Sequence, residues 1–140
     1  MIDPLACIGR PPQMRGKRDL PSHQPVIHDT AIVEAFVTVD AGVDRPTLVG
    51  ARTWLMKSVH LGHDVMVGKD CEIAPLTSVG GYAVIGDRVK IGQGATVKPF
   101  VEIGNNARIG MGAVVLRDVP AGETWVGNPA KPLEVYATSN

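Results

Sequence analysis

The stretch "VGGYAVIGDRVKIGQGATVKPFVEIG", residues 79–104, places Val79, Ile85, Ile91, Val97 and Ile103 at intervals of six. Working outward, the same interval runs back through Ile73, Val67, Leu61 and Leu55 to Val49, and on through Ile109 to Val115. All twelve positions hold Val, Leu or Ile, types that fill 36 of the 140 residues, so chance would supply about three. Two residues before each stands a small or β-branched residue, from Thr47 and Thr53 through Val65, Cys71 and Ala83 to Ala107 and Ala113. One residue after comes Gly in eight of the twelve hexads. Six is neither the period of a helix nor that of a half-buried strand. A glycine once per repeat marks a backbone corner that a side chain would crowd or that needs a positive φ, and β-branched residues between corners favour short extended pieces.

A chain of 140 residues suits one domain with its own core. Fourteen basic and fourteen acidic residues cancel, which argues against a nucleic-acid binder and for small molecules or copies of the chain itself as partners. The N-terminal "MIDPLACIGRPPQMRGKRDLP" carries no apolar signal core, and no run approaches the length of a membrane span. The expectation is a cytoplasmic protein with no membrane insertion. Cys7 and Cys71 form neither a disulfide framework nor a metal-ligand spacing; both read as reduced thiols, Cys71 as a small core residue.

The hexad pattern resembles that of the hexapeptide-repeat family. The resemblance implies an all-β fold, a left-handed parallel β-helix of three flat faces with about eighteen residues per coil. It covers residues 26–131, preceded by an irregular N-terminal capping segment (1–25) and followed by a C-terminal tail (132–140). Ile27, Val33 and Val39 keep the spacing upstream, but Val39 to Val49 is ten residues, four more than a hexad. The surplus falls in "DAGVDRPT", so a protruding loop is expected near 40–47. Fifteen hexads make about five coils, with almost no helix.

With eighteen residues per coil, Leu61, Val79, Val97 and Val115 stack, and His63 shares its corner with Gly81 and Pro99. His60 precedes an inward Leu61 and points outward, near His63; Tyr82, Lys98 and Arg117 fall on the same edge. Corners take polar residues, so the two histidines are also readable as solvated turn groups. The γ-class carbonic anhydrases share the fold, but they use three histidines, two of them five apart. Here the pair is three apart and no third histidine lies in the regular coils, so no metal is expected.

Two further stretches resemble the acyltransferases of this family. "HDVMVG", from His63, is similar to their "HDC" signature, whose histidine is the general base. "GAVVLRDVPAGETWVGNPAKPL", residues 112–133, resembles the last coil of acetyl-CoA-dependent members, whose "GNPA(K/R)P" segment borders the coenzyme. The nearest subgroup looks like the sugar N- and O-acetyltransferases of the sialic acid and amino-sugar type, although the N-terminal sugar-binding domain that several carry has no counterpart here. "HLGHD" is similar to the "HIAHD" of the UDP-N-acetylglucosamine acyltransferases of lipid A synthesis, which take their acyl group from acyl carrier protein. Those enzymes have further histidines where Tyr82 and Lys98 stand.

The resemblance implies direct attack of a sugar or nucleotide-sugar amine or hydroxyl on the thioester, with His63 as general base. Imidazole near its ordinary pKa, about 6.5, suits that task at neutral pH. Asp64 would orient the imidazole and the Gly81 N–H would meet the oxyanion; His60, Tyr82 and Lys98 would bind the acceptor. Acetyl-CoA, the expected donor, would run past Pro99 and Arg117 towards Gly127, Asn128, Pro129, Ala130 and Lys131. A homotrimer with sites between subunits is implied in the same way. A non-catalytic, purely structural β-helix remains the alternative of a different class.

Overall fold

The computed structural model describes residues 1–12 and 22–134. The chain winds as a left-handed parallel β-helix, in which two- to four-residue strands stack into three sheets. The first face stacks Cys7–Arg10, Thr38–Asp40, His60–Leu61, Ser78–Val79, Thr96–Val97 and Val114–Val115. The second stacks Val26–Ile27, Leu48–Val49, Met66–Val67, Val84–Ile85 and Glu102–Ile103. The third runs from Ile32–Val33 to Thr124–Val126 and closes on Lys131–Pro132, which pairs antiparallel.

Strand register follows the repeat. Ser78 lies between His60 and Thr96, and Val79 between Leu61 and Val97, so residues eighteen apart are neighbours. All twelve Val, Leu and Ile positions are buried, as are the small residues two before them. Large side chains therefore fill the faces and small ones the corners, a division of volume that a narrow prism requires.

The corner glycines divide differently from the left-handed backbone. Gly62, Gly80 and their equivalents lie close under the next coil: a Cβ on Gly80 would stand 2.5 Å from the Pro99 nitrogen. Crowding, then, is what selects glycine there. The positive-φ residue comes two positions later and is usually not glycine, as at Ser58, Asp64, Asp70, Tyr82 and Phe100.

Among the described residues the sheets hold six, five and seven strands, so the prism has about six coils where fifteen hexads implied five. The additional turn comes from sequence outside the hexads. Cys7–Arg10 forms a strand against Thr38–Asp40 rather than an irregular lead-in, and Ile2 bridges Val33. Residues 13–21 and 135–140, parts of the expected cap and tail, lie outside the described residues. Helical conformation among the described residues is confined to Leu133 and Glu134.

The four surplus residues leave the ladder intact. Thr38 pairs with His60 and Val39 with Leu61 across a step of twenty-two instead of eighteen. The excursion folds back onto its own edge, where Gly42 exchanges two backbone hydrogen bonds with His23.

Candidate functional site

The edge between the first and second faces carries the turns after Leu61, Val79 and Val97. Stacking places Tyr82 N on His63 O (3.0 Å) and Phe100 N on Gly81 O (3.0 Å). His63, Gly81 and Pro99 therefore share one corner on successive coils, as the arithmetic required.

Asp64 is fully buried, with φ at 61°. That left-handed turn brings its side chain beside that of its neighbour, and Asp64 Oδ2 stands 2.9 Å from His63 Nδ1. The same carboxylate accepts the backbone N–H groups of Val43, Asp44 and Arg45, each at 2.8 Å. Burial opposes ionisation, but these backbone donors and His63 outweigh it, and the carboxyl sits below its ordinary range. An ionised Asp64 offers only acceptors, so the proton between the pair belongs on Nδ1 and the His63 Nε2 is left as the base. The excursion near 40–47 thus acts as a cradle of three donors, and the residue it holds orients the histidine.

Gly81 lies under the free end of the imidazole. A Cβ there would stand 2.8 Å from His63 Nε2, so glycine is what lets the two approach. No acceptor among the described residues takes the Gly81 N–H, leaving it available to a developing oxyanion.

Tyr82 meets the His63 ring edge-on with centroids 5.1 Å apart, and stacks on Phe100 at 4.8 Å and 3°. Its hydroxyl donates to Asp44 Oδ2, and that carboxylate pushes the phenol up to about 12. Tyr82 therefore keeps its proton and fastens the excursion a second time.

A cavity of about 510 Å³ opens beside His63, lined by Cys7, Arg10, Thr38, Asp40, His60, Ser78 and Gly81 among others. His60 also lines it, its Nδ1 2.7 Å from Thr38 Oγ1. Lys98 and Pro99 are exposed further along the edge, and no contact joins Lys98 to the histidines among the described residues. Cys7, Arg10, Thr38 and Asp40 were not singled out from sequence. The signal was available for two of them: counting back twenty-two from His60, across the excursion, reaches Thr38 and leaves Asp40 on the same face.

The expected coenzyme segment caps the first face. Val114 N donates to Gly127 O (2.9 Å) and Ala130 N to Val114 O (2.8 Å), and the Asn128–Pro129 bond is cis. Arg117 lies over the Trp125 ring at 5.3 Å, covering the end of the core. Asn128, Pro129 and Lys131 are exposed and Ala130 is buried. Among the described residues no group of three or more His, Cys, Asp or Glu side chains is arranged to hold a metal ion.

Fold and edge together define a class: a repeat-built β-helix whose one covered corner presents a carboxylate-held histidine over glycine backbone. The chain belongs to the hexapeptide-repeat transferase family, and residues 82–117 match its model, described as bacterial transferase hexapeptide (six repeats). Over 121 residues, 86% of this chain and 36% of the relative, it is 51% identical to a UDP-3-O-acylglucosamine N-acyltransferase of Caulobacter vibrioides (strain NA1000 / CB15N). The chain thus spans about a third of the length of the curated relatives it matches. Among solved structures it resembles the UDP-N-acetylglucosamine O-acyltransferase LpxA of Moraxella catarrhalis, with 32% identity, a TM-score of 0.87, and 91% of this chain and 51% of that one covered. It also resembles the acetyltransferase domain of PglB from Neisseria gonorrhoeae in complex with acetyl coenzyme A, with 29% identity, a TM-score of 0.68, and 76% and 53% covered.

Proposed function

We propose that the chain is the catalytic β-helix of an acyltransferase that moves an acyl group from a thioester to an amine or hydroxyl of a nucleotide-linked sugar. The observation that carries this reading is the His63–Asp64 pair, held by the excursion and aimed across Gly81. His63 Nε2 takes a proton from the acceptor as its nitrogen or oxygen bonds to the thioester carbonyl. The Gly81 N–H steadies the resulting oxyanion, the C–S bond breaks, and His63 returns the proton to sulfur.

Two donors fit. The segment Gly127–Lys131 at the end of the first face and the PglB likeness support acetyl-CoA. The greater likeness to the UDP-3-O-acylglucosamine N-acyltransferase and to LpxA, together with "HLGHD", supports a longer acyl group on acyl carrier protein. Three chains are expected per molecule, because one convex edge does not enclose a substrate. The second face supports this with an outward column of Val26, Leu48, Met66 and Val84, of which Val26 is 55% exposed.

Calorimetric titration with acetyl-CoA, followed by acyl transfer to UDP-glucosamine from acetyl-CoA or from acyl carrier protein, tests the reading. Saturable coenzyme binding near one per chain identifies the first donor, and turnover with the carrier alone the second. His63→Ala should lower turnover by at least about 10²-fold while light scattering still reports a trimer. An unchanged rate removes His63 from the mechanism.

A further inference from the structure

The two aspartates facing the histidines are differently occupied. The Asp64 carboxylate is saturated by three backbone donors and His63. The Asp40 carboxylate, on the cavity wall with its side chain 24% exposed, accepts no hydrogen bond among the described residues; the nearest titratable nitrogen is His60 Nε2, at 3.9 Å. Arg10 pairs in register with Asp40 but donates to Cys7 Sγ at 3.0 Å and makes no ion pair with it. A sheltered carboxylate without a donor is costly, and burial pushes its proton affinity up while His60 and His63 pull it down.

His60 is prepared on the opposite side. In the tautomer whose Nδ1–H donates to Thr38 Oγ1, 2.7 Å away, Nε2 is an open base facing the cavity. The 3.9 Å between it and Asp40 Oδ2 is too long for a hydrogen bond, yet a third polar atom lodged beside both would reach each of them.

Proton bookkeeping gives this pair a task. An amine reaches the site largely as an ammonium, and acylation turns R–NH3⁺ and a thioester into an amide, a thiol and one free proton. His63 carries one proton from nitrogen to sulfur, so the other has to leave, to solvent or to a second group, before the nitrogen can attack. A hydroxyl acceptor has no such surplus proton.

Resting on the acyltransferase reading above, we propose that Asp40 and His60 form a second proton-accepting subsite that captures an ammonium and takes its first proton, so that the acceptor is the primary amine of an amino sugar. The ammonium donates to Asp40 and passes a proton to His60 Nε2. Asp40 stabilises the imidazolium, which releases the proton to solvent through the open cavity. The freed amine then attacks with His63 as its base.

The test compares UDP-glucosamine with UDP-glucose on the wild type, Asp40→Asn and His60→Gln. Calorimetry at neutral pH should show the wild type binding the amine at least about tenfold more tightly, and both variants losing that preference, with unchanged melting temperatures. In turnover, kcat/KM for the amine should fall about 10²-fold in Asp40→Asn, a loss at least tenfold larger than for UDP-glucose. The acidic limb of the amine's pH profile should move in both variants; Asp40, His60, His63, Arg10 and Cys7 are the titratable groups bordering that space. Equal wild-type binding of the two sugars, or a preference that survives Asp40→Asn, overturns the proposal. Amine preference abolished by the variants without acyl transfer from either donor sinks the acyltransferase reading and leaves the amine subsite standing. Acyl transfer to the amine indifferent to Asp40 does the reverse.

Discussion

The edge carrying His63 and the edge between the second and third faces are built from the same turn. Both place a left-handed, non-glycine residue at the equivalent point of each coil: Asp64, Tyr82 and Phe100 on one, Arg52, Asp70, Arg88 and Asn106 on the other. On the second edge these side chains pair upwards in the open, Arg52 with Asp70 at 2.7 Å and Arg88 with Asn106 at 3.0 Å. On the first, the excursion covers Asp64 and turns its carboxylate inward, so the same backbone angle that makes a surface ladder elsewhere makes a buried dyad. Chemistry at a corner of this prism therefore depends on what lies over it; the turn itself is common property.

Substitution of the two aspartates should separate the edges most sharply. Asp64→Ala leaves three backbone N–H groups of the excursion without an acceptor and frees the His63 ring. It should cost about 3 kcal/mol of stability and lower turnover by about 10². Asp70→Ala removes an exposed ion pair and should move neither. Thermal unfolding in parallel with rate measurement checks both, and a matched loss in the two variants would dissolve the distinction.

Glycines offer a second contrast, of smaller size. A methyl at residue 81 meets the imidazole, whereas a Cβ at Gly94, on the third edge, has nothing within 4 Å. Gly81→Ala should displace His63 and reduce kcat by about 10²-fold with little change in melting temperature. Gly94→Ala has φ at 71° to contend with and should cost about 1 kcal/mol of stability at full activity. Activity and melting temperature measured on both variants would have to exchange these patterns for the cradle to be irrelevant.

The smallest effect is in acid. Asp64 has a folded-state pKa below its unfolded value of about 3.9, so its contribution is fully present above that value and is lost as pH falls through the lowered one. Urea midpoints between about pH 5 and 3 should decline in the wild type and decline less steeply in Asp64→Asn. Parallel slopes would place the acid sensitivity elsewhere.

The hexads made the prism legible because a core position recurs on a fixed schedule whatever its neighbours do. Val79 is buried for the reason Ile85 is. That schedule also located His63, Gly81 and Tyr82 together, since stacking follows from counting. It said nothing of Cys7–Arg10, which joins the first face without any hexad, because a strand needs only an open sheet edge to pair with. Nor did it reveal whether adjacent His63 and Asp64 converge. That depends on one positive φ and on three donors from a segment outside the repeat, and neither has a periodic signature. Asp40 is reached only when the count is carried across those four residues, a step of twenty-two instead of eighteen.

Those four residues enter and leave the wall at one corner, while the strands on either side pair as though they were absent. The strand ladder therefore tolerates the insertion, whereas the excursion itself is tied to its corner by the three N–H groups that hold Asp64 and by the Tyr82–Asp44 bond. Grafts between Ala41 and Thr47 that keep the three donors to Asp64 should leave folding yield near that of the wild type, and grafts that lose them should lower it.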